Sequence, residues 1–400
     1  MNKYPNNPLA HACKGDRILI IIPDRLSDLI RKGETVERYY NPGDLFREVH
    51  LLLLNDDQPS IVDIQPLVGN AKLHLSNIPT NRTLFLTSLG WRPRFLRRWA
   101  ASAVKLAAQV GPQVVRCHGN QLNAYLAFEI KRRLRIPYAI SLHGNPDVDY
   151  FRGRLGRTWE ERLIGRAIQK IETLTVKNAD RVFPVYSSIL PYLQANNVEQ
   201  VDLIYNVVGR RIKQKSSYQI DRSNIKIVCV GRQQSLQKDP TPIVEAVAEL
   251  PNVSLLLIGS GDLHESLRSL VERLHIADRV TFATAVPNNK ILEILPSFDF
   301  YVYSSINYEI SKTCIEAALA GLPVIINDRN GNPASELVGG HFRLVSNDKE
   351  SYREALLDLI RDDVAREELG KMAFAHAQAN WNPDLNESRY VQSYLSLIGK

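Results

Sequence analysis

The chain has 400 residues, of which 44% are hydrophobic and 23% charged, and its formal net charge is +7. This composition is typical of a globular protein long enough for two domains. No apolar run approaches the roughly 20 residues of a membrane span, and the polar N-terminus lacks the apolar core of a signal peptide. The four cysteines are scattered, which excludes a disulfide framework and a cysteine-based zinc site. We therefore expect a cytoplasmic protein without a bound metal.

The first two hundred residues alternate short apolar segments with polar or helical ones, which predicts a parallel sheet flanked by helices. Residues 1–14 are expected to form a loose tail. Helices are predicted at residues 158–177 and from residue 187 or 188 onward. The predicted strands are 17–23, 48–54, 61–67, 83–87, 113–118, 138–143 and 179–186.

One stretch of this half contains no acidic residue, the residues between Asp63 and Glu129. Within it, residues 94–109 can form a helix with an apolar face of Phe95, Trp99, Ala103 and Leu106. Such a segment is typical of a helix at an anionic membrane surface, where each basic side chain contributes roughly 1 kcal/mol. The alternative is a helix packed on its own sheet with a solvated basic face. A nucleic-acid partner is not expected, because no recognition module is visible. The predicted acceptor or membrane surface consists of Arg92, Arg94, Arg97, Arg98 and Trp99.

Two predicted strands end in the same triplet, His118-Gly119-Asn120 and His143-Gly144-Asn145. A histidine followed by glycine at a strand's carboxyl end projects into the ligand crevice, and glycine lets the backbone approach a ligand closely. Both structural and binding roles are open for these histidines.

The second half begins after a polar linker at residues 211–224. A buried strand at 225–230 is followed by Arg232, and Lys238 comes just before a helix. Two cations at a strand's carboxyl end suit a diphosphate, although a solvated basic loop would look the same. Further strands are predicted at 253–258 and 280–286.

Residues 298–327 predict a strand, a loop, a helix and a second strand. Ser311 is a suitable N-cap, and Gly321 with Pro323 forms a stop signal. The loop at 304–310 directs backbone N–H groups and the positive end of the helix into the crevice. Glu316 stands among apolar neighbours, so its carboxylate needs a partner. Ligand hydroxyls, a buried arginine or a neighbouring loop would each serve.

Residues 315–325, IEAALAGLPVI, closely resemble the second half of the Glu-x7-Glu signature of retaining family-4 glycosyltransferases, which use nucleotide sugars. The resemblance runs from about residue 110 to the end. It implies an α/β chain of GT-B architecture, in which two Rossmann-like doubly wound domains face a central cleft. It also implies an acceptor-side domain at 1–210, a linker at 211–224 and a nucleotide-sugar domain at 225–379. The last helix, within 380–400, is expected to pack back on the first domain.

The resemblance further implies roles for individual residues. Arg232 and Lys238 would hold the diphosphate, Glu316 the ribose, and His143 the donor sugar or the acceptor. The first glutamate of the signature falls on Tyr308, and the nearest acid is Glu309; either Glu309 replaces it or the sugar is held differently. The implied catalytic residues are His143, Arg232, Lys238 and Glu309. The implied donor-binding residues are Gly33, Arg232, Lys238, Val286, Tyr308, Glu309, Ile310, Ser311 and Glu316.

The implied reaction is transfer of a hexose or hexosamine, with retention, from a nucleoside diphosphate sugar to a glycan or lipid-linked glycan at the inner membrane face. No cofactor and no metal are expected, and Asp147-Val148-Asp149 is taken as a chance occurrence of the metal motif. One alternative is a sugar-nucleotide 2-epimerase, which would need paired carboxylates in the first domain, where the sequence indicates none. The other is a non-catalytic nucleotide- or glycan-binding protein, which the displaced acid at Glu309 favours.

Overall fold

The computed structural model describes residues 15–80, 84, 93–147, 158–210, 212–235, 237–284, 286–306, 309–329, 331 and 333–399. Several sequence predictions lie outside these residues: the loose tail at 1–14, the strand at 83–87 almost entirely, and the assignments made to Arg92, Val148, Asp149 and Tyr308.

Two six-stranded parallel sheets form the framework, with strand orders β3-β2-β1-β4-β5-β6 and β12-β11-β10-β7-β8-β9. The first contains β1 (Gly15–Ile22), β2 (Phe46–Leu53), β3 (Lys72–Asn77), β4 (Val114–His118), β5 (Tyr138–Leu142) and β6 (Arg181–Pro184). The second contains β7 (Ile225–Val230), β8 (Val253–Ile258), β9 (Val280–Ala283), β10 (Phe300–Tyr303), β11 (Val324–Asn327) and β12 (Arg343–Val345).

Helices cover both faces of each sheet, which explains why strands such as β1 are almost continuously apolar. The helices of the first half are α1 (Leu26–Arg31), α2 (Ile61–Ile64), α3 (Pro93–Val110), α4 (Leu122–Leu134), α5 (Trp159–Asn178) and α6 (Leu190–Ala195). Those of the second half are α7 (Thr241–Ala248), α8 (His264–Arg273), α9 (Asn288–Ile294), α10 (Lys312–Leu319), α11 (Lys349–Arg361), α12 (Asp363–Trp381) and α13 (Pro383–Ile398).

The strand order reverses at one point in each sheet. In the first sheet β1 lies between β2 and β4, and in the second β7 lies between β8 and β10. Crevices open at such switch points, at the carboxyl ends of the strands, and this is where open α/β sheets bind ligands. A ligand is therefore expected to bind at the loops after β1, β4, β7 and β10.

The predicted strand at residues 61–67 was wrong. These residues form α2 and the 3₁₀ turn Gln65–Val68, and the edge strand β3 follows at Lys72–Asn77. Pro66 explains the difference, because it has no N–H to donate to a strand ladder and is well suited to the start of a helical turn.

The basic helix α3 packs on its own domain. Leu96, Ala100 and Ala107 are buried, whereas Phe95, expected on the apolar face, is 49% exposed. The predicted apolar face was therefore wrong at Phe95. The acid that the stretch lacks comes from the neighbouring helix α4, because Glu129 lies 3.7 Å from the Arg97 guanidinium. None of the described helices combines the length and apolarity needed to cross a bilayer.

The last helix, α13, lies on the first sheet although it follows the second in sequence. The Tyr394 ring packs edge-on against Phe46 and Phe183 at centroid distances of 5.6 and 5.9 Å. The guanidinium of the buried Arg116 lies 4.5 Å from the ring centre of Tyr390. The end of the chain therefore completes the core of the first half and ties the two halves together.

Candidate functional site

Arg232 and Lys238 follow β7 and line one small cavity together with Gly231, Tyr303 and Ser304. Enclosure by the protein, together with the neighbouring Arg232, lowers the pKa of Lys238. Among the described residues, no carboxylate forms a salt bridge with either cation. Glu309 and Glu34 act on Lys238 only at longer range, so two adjacent cations without a salt-bridged carboxylate among the described residues create a site that favours a multiply charged anion.

The glycines after β8 have a structural reason. A Cβ on Gly259 would lie 2.0 Å from the carbonyl oxygen of Gly231, and one on Gly261 would lie 2.0 Å from that of Gln233. The Gly259–Asp262 loop therefore packs directly on the backbone that carries Arg232. Asp262 accepts a hydrogen bond from Ser235 on the same segment.

The start of α10 is formed as predicted. The Ser311 hydroxyl accepts a hydrogen bond from the Cys314 N–H at 3.1 Å. The preceding loop is fixed to β11, because Ser305 and Asn327 exchange two hydrogen bonds of 2.8 and 2.9 Å. Ile310 is fully buried, so any contact it makes with a ligand has to come from its backbone.

Glu316 is 3% exposed and its carboxylate is half satisfied. Oε1 accepts a hydrogen bond from the Asn288 amide at 3.0 Å, while Oε2 has no hydrogen-bond partner among the described residues. Burial raises the pKa of Glu316 to about 7. A buried carboxylate oxygen without a donor is costly unless a ligand supplies one. Asn288, which holds the other oxygen, was not identified from the sequence.

Glu309 lies across the cleft from the first sheet. Its Oε1 accepts a hydrogen bond of 3.4 Å from the Asn145 N–H, in the triplet after β5. The guanidinium of Arg329 donates to the Glu309 carbonyl at 2.9 Å. The acid one place after Tyr308 is therefore held at the contact between the two halves, beside Gly144 and Asn145.

The two strand-end histidines lie together. The rings of His118 and His143 stack with centroids 5.4 Å apart. Desolvation by the surrounding protein lowers the pKa of the His143 ring to about 3, and the nearby Lys312 and Arg116 lower it further. Part of the side chain is nevertheless exposed to solvent. The pKa of the buried His118 is also well below its usual range, for the same leading reason. Both rings are therefore neutral at physiological pH and can act as hydrogen-bonding groups.

A second cavity lies between the halves and includes residues that sequence reasoning missed. Lys312, the first residue of α10, faces Asp24, Glu34 and the two histidines there, and Tyr39 and Tyr40 complete the wall. Burial raises the pKa of Asp24 and Lys312 opposes that rise. The expectation that the first half carries no paired carboxylates in its crevice was therefore wrong. The only sequence signal was the position of Asp24 just after β1.

The backbone of Gly33 lies close to another part of the protein, the backbone of Asn288. Its φ is +65°, and a Cβ there would lie 2.9 Å from the backbone nitrogen of Asn288. The Asn288 N–H also donates to the Lys32 carbonyl at 3.2 Å. Val286 is partly buried just before this contact. The Gly33 loop thus lies against the start of α9, beside the amide that holds Glu316.

Comparison with known families assigns both halves of the chain. The family described as "Glycosyl transferases group 1" matches residues 210–376, and "Glycosyl transferase 4-like domain" matches residues 44–206. Spore coat protein SA of Bacillus subtilis is 29% identical over 207 residues, which are 48% of this chain and 53% of that protein. The chain spans about half the length of the curated relatives it matches.

Solved structures share the fold along almost the whole chain. Sucrose-phosphate synthase from Thermosynechococcus elongatus has a TM-score of 0.69 at 17% identity, covering 96% of this chain and 99% of its own. Anabaena Alr3699/HepE in complex with UDP has a TM-score of 0.68 at 15% identity, covering 95% and 100%. The predicted two-domain GT-B architecture is confirmed.

Proposed function

Because the chain belongs to the group 1 glycosyltransferases of the family-4 type, we propose that it transfers a hexose or hexosamine from a nucleoside diphosphate sugar to a hydroxyl acceptor, with retention. The observation that carries this proposal is the combination of the Arg232–Lys238 pair with the buried, half-satisfied Glu316. A nucleoside diphosphate offers an anion for the first and ribose hydroxyls for the second.

The diphosphate would lie between Arg232, Lys238 and the start of α10. All three place positive charge where negative charge develops as the bond between the anomeric carbon and the phosphate oxygen breaks. Fixed donors of this kind act without reorganising during the reaction, so this pair supplies the electrostatic part of catalysis. No metal is required for that role.

The ribose would donate hydroxyl hydrogen bonds to Glu316. Its Oε2 is the unsatisfied buried acceptor, and Asn288 fixes the orientation of the carboxylate through Oε1. Val286 and Gly33 lie at the same edge of the cleft and would border the nucleoside.

The donor sugar would lie between Glu309 and His143. The acceptor oxygen forms a new bond to the anomeric carbon on the face that the phosphate leaves, and its proton passes to the departing phosphate oxygen. Neutral His143 would accept or donate a hydrogen bond without exchanging a proton. The Glu309 carboxylate would orient sugar hydroxyls, replacing the acid that the family signature places one residue earlier.

The acceptor would enter from the Asp24–Tyr40 side of the second cavity. We propose a glycan or a lipid-linked glycan, as in the assembly of polysaccharide or glycolipid, and a cytoplasmic protein held at the anionic inner face of the membrane by α3. Arg94 and Arg98 are exposed on α3, whereas Arg97 is engaged by Glu129.

A liposome assay tests the membrane surface. The double variant Arg94→Glu and Arg98→Glu should bind anionic vesicles more weakly than the native chain. Arg268→Glu, on the exposed face of α8, is the matched control. Equal sedimentation of all three proteins with anionic vesicles would remove the membrane proposal without affecting the transfer reaction.

One observation favours a second candidate, the 2-epimerase. Asp24 and Glu34 provide paired carboxylates in the first half of the crevice, as that reaction would require. A panel of nucleotide sugars separates the possibilities. A transferase hydrolyses or transfers the sugar, an epimerase converts the donor at C2 without releasing nucleotide, and a binding protein does neither. Calorimetry with UDP, GDP and ADP then identifies the base.

A further inference from the structure

Three side chains away from the cleft converge on the edge of the first sheet. Glu48 and His50 lie on β2, and His74 is the direct neighbour of His50 on β3. The Nε2 atoms of both histidines lie 3.6 Å from the same carboxylate oxygen of Glu48. The two rings stack with centroids 4.3 Å apart and planes 5° apart. Residues two apart on a strand share a face, so Glu48, His50 and His74 lie on one face of the sheet, with their ligand atoms within 4.8 Å of one another.

The Nε2 atoms of the two imidazoles have only a long contact with Glu48 among the described residues. Neither Nε2 has a hydrogen-bond partner among the described residues, although both atoms are buried. Arg17 on β1 is in register with Glu48, but its guanidinium donates to the Val110 carbonyl at 2.6 Å. At 3.6 Å the Glu48 oxygen meets both ring nitrogens only as a long ion pair, whereas buried polar atoms normally have closer partners.

We propose that Glu48, His50 and His74 form a binding site for a divalent first-row metal of the zinc class. With Zn–N and Zn–O bonds of about 2.0–2.2 Å, ligand atoms of a tetrahedral site lie about 3.4 Å apart. The observed N–O separations of 3.6 Å are close to that value, and the parallel rings would have to tilt toward each other for both nitrogens to face one ion. Two imidazoles and a carboxylate are ligands that Zn²⁺ accepts readily and that Ca²⁺ or Mg²⁺ would not select.

The site would tie β3 to the rest of the sheet. β3 is the edge strand, and the chain before it runs through the short α2 and a 3₁₀ turn. A metal shared by β2 and β3 holds the two strands in register. The ligands lie in the middle of these strands and not at their carboxyl ends, so the metal would stabilise the first domain and take no part in sugar transfer.

Zinc binding to the full-length chain, purified without a histidine tag, tests the proposal. We expect one equivalent of Zn²⁺ to bind and to raise the thermal unfolding midpoint, and Co²⁺ to give the visible absorption of a tetrahedral site. His50→Gln and His74→Gln should each lower the Zn²⁺ affinity at least tenfold and abolish the midpoint shift. Glu48→Gln should weaken binding in the same direction.

His275→Asn is the matched control, because it removes an exposed imidazole elsewhere, and asparagine tolerates the positive φ at that position. It should bind Zn²⁺ as the native chain does. Unfolding curves measured in EDTA show whether each variant is folded. If a histidine variant does not fold, the zinc affinity of Glu48→Gln tests the proposal by itself, because the Glu48 side chain is 35% exposed and its replacement should be tolerated. Unchanged zinc affinity and an unchanged cobalt spectrum in folded Glu48 and His74 variants would overturn the proposal.

Discussion

The carboxylate of Glu336, in the second half of the chain, accepts two hydrogen bonds from Ser187 in the first. The Ser187 N–H and its hydroxyl both donate to Oε1 at 2.6 Å. Glu336 is 4% exposed and belongs to the turn Ser335–Leu337, while Ser187 begins the turn that leads into α6. This contact fastens the two domains on the same side of the cleft as Glu309 and Asn145.

Weakening that contact should disturb closure of the cleft more than donor binding. Glu336→Ala removes both hydrogen bonds, each worth about 1.5–3 kcal/mol to a charged acceptor, whereas Ser187→Ala removes one. We expect kcat to fall about tenfold in the first variant and less in the second, with the Kd for nucleoside diphosphate nearly unchanged. Steady-state kinetics and calorimetry measure the two effects.

Glu265→Ala, an exposed acid on α8, controls for a general loss of negative charge. Small-angle scattering should show a larger radius of gyration for Glu336→Ala alone. A variant that closes and turns over like the native chain would contradict the assigned role of this contact.

Removing either cation after β7 should slow the chemical step. Arg232→Ala and Lys238→Ala each remove charge from the proposed leaving-group site, and losing one such group typically lowers kcat by about 10²–10³. Nucleoside diphosphate should also bind more weakly, because the same cations hold it before reaction. Arg268→Ala on α8 is the control. Native turnover in either cleft variant would place the diphosphate elsewhere.

His143 should stay neutral throughout the physiological range. The pKa of its ring is lowered to about 3, mainly by the surrounding protein and then by Lys312. The unfolded chain binds a proton on this histidine below about pH 6.5, whereas the folded chain does not, so folding stability is lost as the pH falls below that value. His143→Gln should therefore reduce the acid sensitivity of folding.

Nuclear magnetic resonance of ¹³C-labelled histidine measures this directly. The signal that disappears in His143→Gln identifies the ring, and in the native chain it should not titrate between pH 5 and 8. A midpoint near the ordinary value of about 6.5 would show that the ring carries a proton in the folded state, and would reopen a role as general acid.

Sequence reasoning could name those candidate residues that lie within one strand–loop–helix unit. Arg232 and Lys238 flank a single loop, and Ser311 and Glu316 lie at the start and in the second turn of a single helix, so spacing and neighbours were enough to propose them together. Lys312 was predicted as the first residue of the helix, but no function could be assigned to it, because its neighbours Asp24 and Glu34 come from the other domain. Contacts of that kind depend on how two sheets are oriented, which local patterns do not encode.

The two incorrect structural predictions have local causes. Residues 61–67 are apolar enough for a strand, but Pro66 and the polar residues around it favour helical turns, and apolar content alone could not decide between them. Helix α3 was predicted correctly, but its surface carries two rows of apolar side chains, and the sequence does not show which row is buried. Packing against α4 buries the row that contains Leu96 and leaves Phe95 exposed.

Gly259 should tolerate no side chain, in contrast to Gly340. Both have positive φ, of +130° and +79°, but only Gly259 would place a Cβ 2.0 Å from a carbonyl oxygen, whereas at Gly340 it would meet no atom of the described residues within 4 Å. Gly340→Ala should cost only the backbone strain of about 1–2 kcal/mol. Gly259→Ala has to move the Gly231 backbone as well, so it should destabilise more and displace Arg232. Denaturant unfolding and nucleotide binding compare the two; equal losses in both would show that the contact with Gly231 yields easily.

Glu316 should make the ligand-free protein less stable as the pH rises. Burial raises its pKa to about 7 from 4.5, so the folded chain holds this proton where the unfolded chain has released it. The stability from the protonated form is complete below the unfolded pKa and is lost as the pH rises through the folded one, by up to about 3 kcal/mol. Glu316→Gln stays neutral and should remove this dependence, which denaturant unfolding at pH 5 and pH 8 measures.

Nucleotide binding should respond oppositely, since the ionised carboxylate of Glu316 accepts ribose hydroxyl hydrogen bonds more strongly. Native affinity for nucleoside diphosphate should therefore rise between pH 6 and 8, and Glu316→Gln should bind weakly throughout; an unchanged affinity in this variant would remove Glu316 from the nucleoside site.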